Sequence, residues 1–172
     1  VMPTLYAIGQ EWCDGKDVVV PEHFLSNILR AQLDAVWRLT YQAVDGPGVL
    51  VACVPGEHHE LGPFMLALFL RRRGVRVLYL GQNTDAPSLL RAVQGTKPAA
   101  VCLSATLPEN RAPLVELAQA VRAIPGVQVF VGGQALQTVP ATNGHSLPAG
   151  ITALHEAGSD AATIIKRSIS GS

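Results

Sequence analysis

Four short runs, at 49–54, 75–80, 99–105 and 127–131, are apolar at almost every position rather than at every second one. A strand with one face in a core alternates apolar and polar side chains. Near-continuous hydrophobicity means that both faces are covered, the mark of a parallel sheet between helical layers. Helical segments near 60–73, 86–95 and 111–123 separate these runs. The first ends in Arg71-Arg72-Arg73 before Gly74, charges that suit a helix carboxyl end followed by a glycine cap. A weaker fifth strand at 151–153 and a last helix near 159–169 complete a flavodoxin-like (Rossmann-type), doubly wound sheet of five parallel strands. A hydrophobic content of 48% fills such a core.

The cluster Asp45-Gly46-Pro47-Gly48 stops helices and divides the chain into a helical cap segment, 1–46, and a Rossmann-like domain, 47–172. Residues 4–13 and 21–44 read as helices, with Pro21 in the first turn of the second. Leu25, Ile28, Leu29, Leu33, Val36 and Thr40 keep helical spacing, and Phe24, Ala31, Ala35 and Leu39 form a second apolar stripe. A helix apolar on two sides needs cover on two sides, so the expectation is a cap lying over the carboxyl edge of the sheet. The opening Val1-Met2-Pro3, amid helical periodicity, reads as the start of a fragment of a longer protein, and Gly171-Ser172 as a tag-like end.

With 13 basic and 13 acidic residues the formal charge is zero, so the chain carries no electrostatic footprint for nucleic acid or an anionic membrane. Its longest apolar run, 64–70, is far too short to span a bilayer, and no signal peptide is evident. Cys53 and Cys102 sit inside strand runs as small buried hydrophobes, and the expectation is a cytoplasmic, reducing compartment. No catalytic dyad or triad and no G-x-x-x-x-G-K loop occurs, so an enzyme is not expected. Asp85 and Glu109 read as helix caps, while His145 and His155 lack partners at ligand spacing.

Chemistry concentrates in three segments that follow strands. Glu57-His58-His59-Glu60-Leu61-Gly62 follows the first run, and 41 residues separate Gly62 from Ser104-Ala105-Thr106, at the end of the third. Another 25 residues lead to Gly132-Gly133, after the fourth. In a flavodoxin-like sheet the strand order reverses between the first and third strands, and ligands bind beyond the carboxyl ends there. The topology thus brings the first two segments together. His59 would be oriented by Glu57, two residues earlier, whose carboxylate is placed to hold one ring nitrogen.

This acid-x-His-x-x-Gly, Ser-x-x, Gly-Gly pattern resembles the signature of cobalamin-binding domains. The resemblance implies that His59 replaces the cofactor's own benzimidazole as lower ligand of cobalt, with His58 the rival ligand out of register. It also implies that Ser104 hydrogen-bonds the displaced benzimidazole, that Gly132-Gly133 leave room for the nucleotide tail, and that Gly62 and Thr106 belong to the cofactor-binding set. Glu57 stands where many relatives have aspartate, and Thr106 where leucine is usual. Trp12, with Glu22-His23 ten residues on, resembles the cap over the upper cobalamin face in light-dependent repressors of the CarH/LitR type, within the MerR family. The resemblance runs from about residue 5 to residue 135. It implies adenosylcobalamin held in darkness, with Trp12 and Val19 against the adenosyl group, Glu22 hydrogen-bonded to it and His23 close by. It further implies a light-broken cobalt–carbon bond, a homo-oligomer that falls apart on illumination, and DNA contacts made by an amino-terminal domain missing from this chain.

One position departs from that group. After the tryptophan the photoreceptors place a histidine that captures cobalt from above, whereas this chain has Cys13. An inert thiol, a cobalt thiolate and a covalent anchor for biliverdin or another bilin all remain open for it. The leading expectation is a cobalamin-binding, light-responsive sensory domain of a transcription regulator. The alternatives are a bilin photosensor anchored at Cys13, the corrinoid carrier of a methyltransferase, and a flavodoxin-like module without cofactor.

Overall fold

The computed structural model describes residues 19–43, 45–136, 147–156 and 158–171, with side chains from residue 24 onward. The chain divides into two compact units, Val1–Thr40 and Tyr41–Ser172.

In the first unit, helix α1 spans Val19–Leu39. It stops five residues short of the expected end at 44. The Thr40 hydroxyl donates to the Val36 carbonyl (2.7 Å), and the Thr40 N–H bonds Trp37 O (3.2 Å), closing the last turn. In the second unit, the Gln42 side chain then donates to Val77 O at 2.9 Å, which holds the departing chain as non-helical backbone.

The second unit alternates strands and helices: β1 (Gly48–Cys53), α2 (Leu61–Arg72), β2 (Arg76–Gly81), α3 (Ala86–Thr96), β3 (Ala100–Ser104), α4 (Arg111–Arg122), β4 (Gln128–Gly132), β5 (Ile151–Ala153) and α5 (Ser159–Ser170). The strands form one parallel sheet in the order β2-β1-β3-β4-β5, the five-stranded doubly wound arrangement the apolar runs predict. Every residue of β1, an interior strand between β2 and β3, is buried, as continuous hydrophobicity requires. Successive side chains of a strand point to opposite faces. Leu50 and Ala52, continued by Val54, join Val101, Leu103, Val129 and Val131 in a core closed by Leu89 and Val93 of α3 and Leu114, Leu117 and Val121 of α4. The alternate set, Val49, Val51 and Cys53, is equally buried, as are Phe64, Ala67, Leu68 and Leu70 of α2 and Ala162 and Ile165 of α5.

Two helix ends bear on the sequence expectations. Asp85 caps α3, its carboxylate accepting from the Ser88 N–H at 2.9 Å. Glu109 does not cap α4: it lies within a 3-10 turn, Pro108–Asn110, that precedes the helix, and no side chain caps that turn. Among the described residues, no helix is long and apolar enough to cross a membrane.

Candidate functional site

The strand order sets β1 beside β3, and β3 beside β4. Cys53, Ser104 and Gly132 therefore lie in register across the three strand ends. Beyond them the chain leaves β1 through Pro55 and Gly56, whose φ of +79° is the left-handed backbone glycine adopts without strain. The Glu57 N–H bonds Val54 O (3.0 Å), a tight turn that folds the Glu57 side chain inward under the loop.

Glu57 is fully buried. Its Oε1 accepts from the His59 N–H (2.8 Å) and lies 2.6 Å from His59 Nδ1. Its Oε2 accepts from the Thr106 N–H (2.6 Å), the Leu107 N–H (3.3 Å) and Asn110 Nδ2 (3.0 Å). Burial alone would raise this carboxyl's pKa. The bonds from the His59 ring, the Thr106 N–H, Asn110 and the His59 N–H more than reverse that and hold it well below the usual carboxylate range. A permanent carboxylate at Nδ1 places the ring proton there, which leaves the basic lone pair on Nε2. The ring itself is half exposed, with 52% of the side chain accessible. Glu57 is thus an anion buried in the protein and His59 is the part of the pair that faces outward.

His58 points elsewhere. Its Nδ1 lies 3.3 Å from Gln82 Oε1, in the loop after β2, and its side chain is exposed. The two adjacent histidines therefore diverge, and only His59 has a buried carboxylate behind it. Directly below, Cys53 is buried, and burial together with the charges of Glu57 and Glu60 pushes its thiol up to about 12. Burial raises Cys102 as well. Both are inert at neutral pH.

The glycines divide by what constrains them. An added Cβ on Gly133, at φ +105°, would sit 2.0 Å from Ala105 O, so backbone packing alone forbids any other residue. On Gly132 the same Cβ would meet Leu154 at an ordinary 3.8 Å, and on Gly62 nothing lies within 4 Å among the described residues. The fold does not require glycine at these two positions, which fits a bulky ligand resting on the strand ends. Among the described residues no three His, Cys, Asp or Glu side chains converge to hold a bare metal ion. One oriented imidazole suits a metal that arrives with most of its ligands already supplied by a macrocycle.

Of the residues singled out from sequence, Glu57, His58, His59, Ser104, Thr106, Gly132 and Gly133 are gathered at the carboxyl ends of β1, β3 and β4 or the loops beyond them, and Gly62 lies in the first turn of α2, which follows β1. Trp12 and Cys13 lie outside the described residues. Val19, Glu22 and His23 fall in the first turns of α1, and their side chains lie outside the description. Sequence reasoning missed the Leu107 amide, Asn110 and Asn83. The only signal for Asn110 was its place at a helix start, where asparagine ordinarily caps; its carboxamide turns to Glu57 instead.

Residues 47–161 match the family model described as "B12 binding domain". The chain is 37% identical over 138 residues to the HTH-type transcriptional repressor CarH of Myxococcus xanthus, covering 79% of this chain and 46% of that protein. It is 39% identical over 118 residues to the repressor CarA of the same organism, covering 67% of this chain and 40% of that protein. The chain thus spans less than half the length of these curated relatives. Among solved structures, a cobalamin-binding protein from Desulfitobacterium hafniense DCB-2 superposes with a TM-score of 0.59 at 21% identity, over 95% of this chain and 77% of that one. The monomethylamine corrinoid protein of Methanosarcina barkeri gives 0.65 at 15% identity, over 84% and 66%. At such identities these two establish the fold, and the family follows from the model match over most of the chain: the chain belongs to the B12 binding domain family.

Proposed function

We propose that this chain is the sensory part of a transcription regulator, that it holds adenosylcobalamin with the benzimidazole displaced, and that His59 ligates cobalt in its place. The observation that carries the reading is the Glu57–His59 pair: a fully buried carboxylate 2.6 Å from Nδ1 of a half-exposed imidazole. That arrangement fixes both the tautomer and the ring orientation a metal ligand needs. Bound adenosylcobalamin would supply a light-labile cobalt–carbon bond. The chain's own part is to fix the ring, to receive the displaced nucleotide tail near Ser104 and Gly132, and to transmit the state of the upper face. Trp12, Val19, Glu22 and His23 belong to that upper face in this reading, as part of a segment 1–46 distinct from the domain 47–172. The relatives' description as repressors supports a regulatory, non-enzymatic role and DNA contact through a part of the protein beyond this chain. A homo-oligomer in the cytoplasm completes the proposal.

The test is the visible spectrum of the purified chain in darkness and after illumination, with adenosylcobalamin, with hydroxocobalamin and with biliverdin. A base-displaced, histidine-ligated spectrum that changes irreversibly on illumination of the adenosylcobalamin complex supports the reading. A spectrum identical to that of free cobalamin refutes it.

A further inference from the structure

We propose that Asn83, in the loop between β2 and α3, is a positioning residue for the His59 site, acting through the main chain of Gly56 and Glu57. Asn83 belongs to none of the three sequence segments that mark the site. Its Oδ1 accepts from the Gly56 N–H at 2.9 Å, and its own N–H donates to Glu57 O at 2.8 Å. These two bonds span the turn from which both Glu57 and His59 project. The neighbours extend the seam: the Thr84 N–H bonds Cys53 O at 3.2 Å, and Gln82 Oε1 lies 3.3 Å from His58 Nδ1. A short segment of one loop is thus stitched along the length of the other.

Two features separate this from ordinary loop structure. Asn83 has a φ of +47°, one of two non-glycine residues with positive φ among the described residues. Asparagine tolerates this region, but glycine would satisfy the backbone equally well, so the conformation does not explain the carboxamide. Helix capping does not explain it either, because Asp85 performs that task for α3. What remains is the acceptor, aimed 27 residues back at Gly56. The β3 side fixes the Glu57 carboxylate through Thr106, Leu107 and Asn110, while Asn83 fixes the peptide that carries it. With the carboxylate held and the main chain loose, the His59 ring would keep its partner but lose its bearing.

Three variants separate the contributions. Asn83→Gly keeps the backbone conformation and deletes the acceptor. Asn83→Asp keeps an acceptor oxygen and tolerates the conformation. Asn83→Ala disturbs both. In the ligand-free full chain, Asn83→Gly should speed exchange of the Gly56 amide about tenfold while core amides such as Leu50 stay unchanged, and should shift the His59 imidazole nitrogen resonances. Titration with hydroxocobalamin should show affinity weakened about 3- to 10-fold, short of the roughly 10–100-fold typical when a ligand's direct partner is lost. Asn83→Asp should return all three readouts to within about twofold of the parent, and Asn83→Ala should fall at or below Asn83→Gly.

The proposal is overturned if Asn83→Gly leaves Gly56 exchange, the His59 resonances and affinity at parental values, or if Gly56 and Leu50 amides accelerate together. It is equally overturned if Asn83→Asp fails to rescue, or if Gly56 loosens while affinity holds. The inference rests on His59 as the cobalt ligand. Should the parent chain show no histidine-ligated spectrum, that reading fails by itself. The His59 resonances of ligand-free Asn83→Gly then decide the positioning role, and parental values there refute it.

Discussion

Replacing Glu57 with glutamine tests the site at its electrostatic centre, because the two side chains have the same shape but not the same capacity. The carboxylate accepts five N–H donors among the described residues, two at Oε1 and three at Oε2. An amide has one oxygen and one NH2, so one flank must set donor against donor. The Oε2 flank faces two backbone amides and the Asn110 carboxamide, with Asn110 and the glutamate buried. The oxygen will therefore turn to that side. The NH2 then faces His59, where the backbone N–H is left unmatched while ring Nδ1 adapts by giving up its proton and accepting. One unsatisfied donor costs about 1–3 kcal/mol, and the loss of charge assistance adds about 1 kcal/mol more. We expect Glu57→Gln to lower unfolding free energy by about 2–4 kcal/mol at pH 7, read by urea denaturation. The flipped ring carries its proton on Nε2 and presents a donor where cobalt needs a lone pair. Cobalamin affinity should fall at least the roughly 10–100-fold typical for a lost ligand partner.

The same variant has a pH signature. The folded-state pKa of Glu57 lies below its ordinary value of 4.5, so the carboxylate contributes stability that is fully present above that value and drains away as pH falls below it. Glutamine has no such contribution. The gap in stability between parent and Glu57→Gln should therefore be widest at neutral pH and narrow progressively below about pH 4. A difference under about 0.5 kcal/mol at pH 7, a gap that does not narrow in acid, or unchanged histidine ligation would each refute the reasoning.

Further outcomes follow from neighbouring geometry. His59→Ala should abolish the histidine-ligated cobalamin spectrum while His58→Ala, whose ring turns to Gln82 Oε1, leaves it nearly intact; the reverse result would place the ligand one residue earlier. Gly133→Ala should cost about 2–6 kcal/mol in thermal or urea unfolding, since it adds overpacking against Ala105 O at 2.0 Å to a φ of +105°. Gly62→Ala, with nothing within 4 Å among the described residues, should instead raise ligand-free stability by about 0.5–1 kcal/mol and weaken cobalamin binding. For Cys13, acid-urea denaturation of the loaded protein distinguishes the pigments: a corrinoid released freely supports the cobalamin sensor, whereas colour retained by the polypeptide and lost in Cys13→Ala supports a bilin.

The sheet was legible because burial on both faces writes itself directly into composition. Even β2, with Arg76 at its first position, keeps Val77, Leu78 and Leu80. Strand limits moved by about one residue because backbone pairing sets them, and pairing leaves no mark on side-chain identity. Ile151–Ala153 stayed weak as a signal because it is three residues long and none of the three is buried. The end of α1 was misplaced for a related reason. Periodicity ran on through Thr40, but a hydroxyl that returns to Val36 O and a Gln42 contact with a strand 35 residues away ended the helix.

At the site, what lay within one segment could be read and what crossed between strands could not. Glu57 and His59 are two residues apart, so their pairing followed from spacing. Asn110 and Asn83 reach the same turn from two other strand ends, 53 and 27 residues from the atoms they bind. A lone asparagine implies no chemistry until topology says what faces it, and Glu109, the residue with a charge, drew attention away from Asn110 beside it. The topology also gives the length of Glu57 a meaning. The resembled domains commonly carry aspartate there, yet here the carboxylate must touch His59 with one oxygen and reach the first residues beyond β3 with the other. The additional methylene lets one anion tie the His59 loop to the neighbouring strand end. Strand order, rather than any single motif, therefore holds the His59 ring in one orientation.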